Sequence, residues 1–88
     1  MRNISFSSGS ERKFRKFGNR HPELKVQVDR VVNILRKNPL DQGVGAHKLS
    51  GRLQRCFGAD INFQYRVVYQ FDDSVLYLVN IGTHDEVY

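Results

Sequence analysis

The residues best suited to chemistry lie in the second half of this sequence. His47 opens a His-Lys-Leu-Ser-Gly segment, and Arg66 lies inside a strand-like run. His84 and Tyr88 belong to the closing Gly-Thr-His-Asp-Glu-Val-Tyr. Histidine can gain or lose a proton near neutral pH, arginine can clamp a phosphate, and tyrosine can stack on a base. Together these abilities are typical of RNA chemistry, provided that the residues meet in the fold.

The length and charge of the chain limit the classes of protein to consider. Its 88 residues predict one domain, residues 1–88, with a single hydrophobic core. Fourteen Lys and Arg against nine Asp and Glu give a net charge of +5. This excess favours an anionic partner, which is a nucleic acid or an acidic protein in preference to a membrane surface.

A single cysteine, Cys56, excludes an intrachain disulfide, and its position beside Phe57 predicts a buried structural thiol. No apolar run approaches the roughly 20 residues that cross a bilayer, and the first residues lack the apolar stretch of a secretory signal. We therefore predict a cytoplasmic location. His47 and His84 have no Cys or His neighbours at metal-ligand spacing, so no metal or other cofactor is predicted.

The first half of the chain predicts a strand and a helical hairpin. Residues 3–7 favour a strand, and Ser10 is a suitable N-cap for a helix over 11–19 that buries Phe14 and Phe17. The outer surface of that helix is basic, which is typical of a solvated face and also compatible with phosphate binding. Its cations are Arg12, Lys13, Arg15, Lys16 and Arg20.

A second helix is predicted to begin at Pro22 and to end before Asn38-Pro39. It has one apolar stripe, formed by Leu24, Val28, Val31 and Leu35. Two consecutive helices with a short connection form an antiparallel hairpin, and the hairpin needs a sheet on which to bury this stripe.

The remaining patterns predict that sheet. After a loop over 40–47, strands are expected at Leu53 to Phe57, at 61–71 with strict alternation, and at 75–81. The fold class is thus α+β in the order β-α-α-β-β-β, with a helical hairpin on one face of a small, curved, mostly antiparallel sheet. If the odd positions of 61–71 face the helices, Arg66 and Gln64 point to the open face, although a bulge would shift this phase.

The helix pair, the His47–Gly51 turn, the Tyr65–Tyr69 strand Tyr-Arg-Val-Val-Tyr and the closing Gly82-Thr83-His84 occur in a familiar order. This order resembles the RelE/ParE superfamily of bacterial toxin–antitoxin toxins, most closely its YafQ and RelE branches. The resemblance covers nearly the whole chain in element order, and its specific motifs lie in residues 47–88.

The resemblance implies a ribosome-dependent mRNA endonuclease. Such toxins act on mRNA in the ribosomal A site without a metal, through attack of the RNA 2′-OH on the adjacent phosphate. They are silenced by a cognate antitoxin in a toxin–antitoxin hetero-oligomer. For a basic toxin we expect an antitoxin that is acidic or amphipathic, for example a helix laid along the sheet or the hairpin.

The same resemblance implies four catalytic residues. Arg66 matches an arginine that contacts the scissile phosphate, and His84 matches the histidine of Gly-Thr-His, which could protonate the leaving oxygen. His47 could be the base or hold a phosphate, and Tyr88 occupies the place of a terminal aromatic. Read without the resemblance, these residues could equally be a surface histidine, a turn-capping histidine, a solvated arginine and a frayed terminus.

Further RNA contacts are expected from Lys48, Arg52 and Arg55, while Asp60 and Gln64 could order the site or contact ribose. The chain departs from the YafQ pattern where a His and an Asp-Trp pair are expected and it has Asp60 and Gln64-Tyr65. It also has Asn80 in place of an arginine. These departures leave the identity of the general base open.

Two other functions compete with the nuclease. One is a ParE-like toxin directed at DNA gyrase without nucleolytic activity, and the other is a simple RNA- or protein-binding domain. ParE-like toxins lack acid and base side chains, so His47, Arg66 and His84 argue against the first. Only loss of function on their substitution would separate catalysis from simple binding.

Overall fold

The computed structural model describes all of residues 1–88. The chain forms five strands and three α-helices, in the order β1, α1, α2, β2, β3, β4, β5, α3. Their bounds are β1 Asn3–Phe6, α1 Ser10–Arg20, α2 Lys25–Lys37, β2 His47–Lys48, β3 Phe57–Asp60, β4 Tyr65–Phe71, β5 Val75–Thr83 and α3 His84–Val87. Short 3₁₀ turns precede α2 at Pro22–Leu24 and flank β2 at Gln42–Val44 and Gly51–Leu53.

The strands form one sheet in the order β1-β5-β4-β3-β2. Only β1 and β5 are parallel, and every other neighbouring pair is antiparallel. Helices α1 and α2 contribute Phe17, Val31 and Leu35 to a core that they share with β4 and β5. The α+β class and the hairpin on one sheet face are therefore confirmed, with β2 and α3 as additional elements.

The strand predicted at Leu53 to Phe57 is wrong. Gly51 has a positive φ of 67°, and local bonds from Leu53 N–H to the Ser50 carbonyl and from Cys56 N–H to the Leu53 carbonyl close two turns. Backbone groups used in these turns cannot pair with a neighbouring strand. Sheet pairing therefore begins only at Phe57, although Cys56 is buried as predicted.

The strand predicted at 61–71 is too long, because its first four residues form a bend. The side-chain oxygen of Asn62 accepts the backbone N–H groups of Gln64 and Tyr65 at 2.9 and 2.8 Å. Such an Asx turn competes with strand pairing. As a result Phe63 is 92% exposed, in contrast to the predicted burial of the odd positions, and Gln64 lies outside the strand.

The alternation within β4 divides the sheet into two faces. Val67 and Tyr69 point to the helices, while Val68 packs on the other face, so Arg66 lies on the face away from the helices as predicted. In β5 the helix-facing residues are first even-numbered and then odd, as at Leu76, Leu78 and Ile81. The cause is a β-bulge at Val79, since Val68 pairs with Asn80 but Tyr69 pairs with Leu78.

A second, smaller core covers part of the face away from the helices. Its buried residues are Cys56, Val68 and Val87, and Leu49, Leu53 and Tyr88 pack against it. The turn at 49–53 and helix α3 are therefore attached to the sheet face that carries Arg66. No helix of the protein is long and apolar enough to cross a bilayer.

Ser10 was predicted to cap α1, but Gly9 occupies the N-cap, with a φ of 78°, and Ser10 is the first helical residue. Ser10 is completely buried, and its hydroxyl donates hydrogen bonds to the carbonyls of Leu78 at 2.7 Å and Ser7 at 3.0 Å. A buried hydroxyl needs such partners, so the residue joins α1 to β5 instead of capping the helix.

We expect Ser10→Ala to lower the free energy of unfolding by about 1 kcal/mol, because one buried hydrogen bond between α1 and β5 is lost. Urea unfolding followed by circular dichroism measures the change. Ser8→Ala is the matched control, since Ser8 is exposed and its side chain makes no hydrogen bond. Equal stability of the two variants would contradict the structural role of Ser10.

Candidate functional site

The C-terminal residues are held in a defined turn. Thr83 caps α3: its hydroxyl accepts the Glu86 N–H at 3.3 Å, and the Glu86 carboxylate accepts the Thr83 N–H at 2.8 Å. This reciprocal pair is a capping box. Val87 is buried beneath the turn, so Tyr88 follows a fixed segment and is not a frayed terminus.

The Tyr88 ring lies near both histidines of the predicted site. Its ring centroid is 4.7 Å from that of His84 and 6.5 Å from that of His47, and both pairs are nearly perpendicular. Edge-to-face packing of this kind fixes the relative orientation of the rings. The structure thus brings together three of the four residues predicted to be catalytic.

These residues share a cavity of about 280 Å³ on the face away from the helices. Its lining residues are His47, Lys48, Leu49, Ser50, Arg52, Leu53, His84 and Tyr88. Lys48 and Arg52 thus lie beside the histidines, as expected for cations that contact a phosphate. No three His, Cys, Asp or Glu side chains are close enough together to hold a metal ion.

Arg52 also has a contact within the protein. Its guanidinium donates a hydrogen bond of 2.6 Å to the backbone carbonyl of Tyr88. Arg52 therefore links the turn at 51–53 to the end of α3, and it closes one side of the cavity.

Arg66 lies beside this cavity, and its side chain is held by several partners. Its Nε is 3.0 Å from the Asp60 carboxylate, which belongs to its cross-strand neighbour in β3. One terminal nitrogen, Nη1, donates to the carbonyls of Asn62 at 3.1 Å and Phe63 at 3.3 Å. Nη2 makes no hydrogen bond, so this nitrogen remains available to an anion.

The Tyr88 hydroxyl connects the cavity to the Arg66–Asp60 pair. It is buried without a hydrogen-bond partner and lies so close to Gly58 that a Cβ atom there would overlap it. Burial raises the pKa of Tyr88, while the charge of Arg66 lowers it and that of Asp60 raises it. All four predicted catalytic residues therefore lie in one region around the Tyr88 ring.

Each histidine has a polar neighbour at Nδ1. In His47 this nitrogen is 2.8 Å from the Gly45 carbonyl. A carbonyl can only accept, so a neutral His47 has its proton on Nδ1 and a free lone pair on Nε2. His84 is mostly exposed, and its Nδ1 lies 3.5 Å from the Asp85 carboxylate.

Two residues predicted to bind RNA lie outside the cavity and outside the network that holds Arg66. Gln64 is exposed in the bend before β4, and Arg55 is exposed in the turn before β3. Neither lines the cavity.

Sequence reasoning missed Gly58 and Glu86, which position the site without lining it. A glycine inside a strand often marks the close approach of another group, and the Phe57-Gly58-Ala59 run has that signal. The capping box was also present in the sequence as Thr83-His84-Asp85-Glu86.

Solved structures that share this fold include toxins of toxin–antitoxin systems. YafQ from Escherichia coli BL21(DE3) has a TM-score of 0.81 and 18% identity, covering 100% of this chain and 99% of that one. YafQ in the E. coli DinJ-YafQ complex gives 0.79 and 19%, with coverages of 100% and 99%. The Staphylococcus aureus YoeB-YefM complex gives 0.78 and 22%, with coverages of 96% and 98%. The fold is therefore that of the RelE/ParE-type toxins.

The sequence defines the family more narrowly. A family model described as "Bacterial toxin of type II toxin-antitoxin system, YafQ" matches residues 2–88. The chain belongs to this family of type II toxins. Comparison with curated protein sequences gives no match.

Two tyrosines with opposite hydroxyl environments give a prediction about stability. We expect Tyr88→Phe to raise the free energy of unfolding by about 1 kcal/mol, because a buried hydroxyl without a partner is removed. Tyr69→Phe should lower it by about 1–2 kcal/mol, since the Tyr69 hydroxyl donates to the Pro39 carbonyl. Chemical unfolding of both variants tests the contrast, and loss of stability in Tyr88→Phe would contradict it.

The capping box gives a prediction about pH. Hydrogen bonds from the Thr83 backbone and hydroxyl lower the pKa of Glu86 below its ordinary value of 4.5. The contact should be complete above that pH and should be lost as the pH falls through the lower pKa of the folded state. The NMR shift of the Thr83 amide should therefore titrate below 4.5, and Glu86→Gln should abolish the titration. A midpoint at or above 4.5 would disprove the contact.

Proposed function

We propose that this toxin is an endoribonuclease that cleaves mRNA on the ribosome in the bacterial cytoplasm. The observation that supports this most directly is the packing of His47 and His84 near the Tyr88 ring, beside a guanidinium on the same sheet face. A proton acceptor, a proton donor and a cation are the three groups that cleavage of a phosphodiester by its own 2′-OH requires.

In the proposed reaction His47 is the base. With the Nδ1 proton directed at the Gly45 carbonyl, Nε2 accepts the proton of the RNA 2′-OH. The 2′-oxygen then attacks the adjacent phosphorus, and the bond from phosphorus to the 5′-oxygen breaks. His84 donates a proton to that leaving oxygen, and the products are a 2′,3′-cyclic phosphate and a 5′-OH. The step needs no metal.

Arg66 is proposed to stabilise the charge that develops on the phosphate oxygens. The side chain is only 22% exposed, and Asp60 and three backbone carbonyls hold it in one orientation, with Nη2 free. A donor held in this way requires little reorganisation during the reaction. Asp60 is therefore proposed to orient Arg66, and Lys48 supplies additional positive charge at the cavity.

Tyr88 is proposed to act through its ring. Its hydroxyl is buried over Gly58, whereas the ring edge contacts the histidines. The ring therefore orients both imidazoles and offers its remaining surface to a base.

We also propose that the toxin forms a hetero-oligomer with a cognate antitoxin. The E. coli YafQ and S. aureus YoeB structures, which share the fold, contain the toxin in complex with DinJ and YefM. With a net charge of +5, this chain favours an acidic or amphipathic antitoxin. Dependence on the ribosomal A site is proposed from the family resemblance.

A gyrase-directed toxin or a simple binding domain is a poorer explanation of the site. Neither function requires two histidines and an arginine on one sheet face. Neither requires a glycine that leaves room for the hydroxyl of a tyrosine packed near the histidines. The nuclease is the function that uses all of these features.

We expect His84→Ala to lower the rate of mRNA cleavage by about 10²–10⁴-fold, the usual contribution of a general acid. Arg66→Ala should lower the rate by a comparable factor. Arg66→Lys should restore only part of it, because lysine lacks the planar guanidinium that Asp60 and the backbone carbonyls hold in one orientation. The measurement is mapping of mRNA 5′ ends in a translating extract. The wild type should give 5′-OH ends at fixed positions relative to codons.

Arg12→Ala is the control, since Arg12 is exposed on α1 and makes no ion pair or hydrogen bond. Circular dichroism should show that every variant is folded. Full cleavage by both His84→Ala and Arg66→Ala would refute the catalytic assignment. Absence of any cleavage by the wild type would refute the nuclease itself.

A further inference from the structure

A second, larger groove lies between α1 and the end of β5. Its volume is about 700 Å³, compared with about 280 Å³ for the cavity around the histidines. It is lined by Lys13, Lys16, Phe17, Arg20, His21, Tyr65, Asn80, Ile81, Gly82, Thr83 and Glu86. None of these residues belongs to the histidine cavity, so we call this region the α1 groove.

Only part of the basic surface of α1 lines the α1 groove. Lys13, Lys16 and Arg20 follow the spacing i, i+3, i+7 and line the groove together. Arg12 and Arg15 do not line it, and Arg15 lies 4.0 Å from Glu11. The sequence pattern of five cations therefore separates into a groove-lining set and an outer set.

The three groove cations have no partners within the protein. None of them forms a salt bridge or a side-chain hydrogen bond. Glu86 is the only carboxylate among the lining residues, and it is already bonded to the Thr83 N–H. The groove thus has an excess of positive charge, since its three cations face the single negative charge of Glu86, which interacts electrostatically with Arg20.

Groups that can contact bases lie beside these cations. The His21 ring is 4.9 Å from the Tyr65 ring and 4.7 Å from the Phe17 ring. Asn80 adds a side-chain amide to the groove. Cations along a groove, together with aromatic rings, are the usual means of binding single-stranded nucleic acid.

Helix α3 separates this groove from the histidine cavity. Thr83 and Glu86 face the α1 groove, whereas His84 and Tyr88 face the cavity. An RNA strand whose scissile phosphate lies at the histidines enters the groove when it continues past this single turn of helix. Lys13 and Arg20 are seven residues apart, about 10 Å along the helix, which is enough to follow more than one phosphate.

We propose that the α1 groove binds the phosphate backbone of the same RNA strand whose cleavage is proposed at the histidines, next to the cut. The proposal rests on the proposed function for the identity of the strand. An acidic protein segment could also neutralise the cations. Cations combined with aromatic rings that can stack on bases are the combination that single-stranded nucleic acid uses, so the composition of the groove favours RNA.

The test measures binding of single-stranded RNA by fluorescence anisotropy with the full chain. The probes are labelled 2′-O-methyl oligonucleotides, which cannot be cut by 2′-OH attack, in lengths from two to about eight nucleotides. Wild-type affinity should rise with length as the strand reaches the groove. A variant combining Lys13→Gln, Lys16→Gln and Arg20→Gln should bind the shortest probe normally and gain little from added length.

The salt dependence of binding gives a second readout. Removing three phosphate contacts should reduce the slope of log K against log salt by about 2, from a contribution of about 0.7 per contact in single strands. The control variant combines Arg12→Gln, Arg30→Gln and Lys37→Gln, which removes the same charge from exposed positions outside the groove. It should keep both the length dependence and the slope of the wild type.

Three outcomes would overturn the proposal. One is equal length dependence in the groove variant and the wild type, and another is an equal loss in the control, which would indicate general electrostatics. The third is unchanged RNA binding with weakened binding of the antitoxin, which would assign the groove to the protein partner. Failure of the nuclease would appear separately, as wild-type protein that leaves mRNA intact while still showing the length-dependent affinity.

Discussion

The close approach of Tyr88 to Gly58 is the contact on which the site depends. Gly58 is the register partner of His47 in the β2–β3 pair, and a side chain at this position would displace the Tyr88 hydroxyl. Tyr88 closes the turn that His84 opens, and its ring contacts both histidines. A single glycine therefore leaves room for the ring that packs near two imidazoles 37 residues apart in the sequence. The cost is a buried hydroxyl without a hydrogen-bond partner.

This approach is possible because the two faces of the sheet are used differently. The face toward the helices carries most of the core, so it can stabilise the domain without help from the site. The other face has only the small cluster of Cys56, Val68 and Val87 beneath the C-terminal turn. The bulge at Val79 keeps Ile81 in the main core while Val79 itself packs against the small cluster. One irregularity in β5 thus allows a single strand to contribute apolar side chains to the cores on both sheet faces.

The parts of the fold that were predictable depend on periodicity, and the parts that were not depend on individual side chains. The stripe of α2 and the alternation of β4 are repeated signals, so the class, the hairpin and the face of Arg66 follow from the sequence. The bend at 61–64 depends on one Asn62 side chain, and the turn before β3 depends on one positive φ at Gly51. The presence of His47 and His84 in one cavity depends on sheet register, which a local pattern cannot specify.

The distribution of the cations also explains why net charge was a poor guide to the site. Arg66 and Arg52 are hydrogen-bonded to backbone carbonyls of this chain, and Arg36 likewise donates to the Arg2 carbonyl. Side chains bound in this way lose conformational freedom when the protein folds, and this entropy need not be lost again when a ligand binds. The lysines on α1 remain free and must be ordered by their ligand. Fixed arginines therefore suit a position where charge develops during a reaction, and free lysines suit a surface that holds a strand of variable sequence.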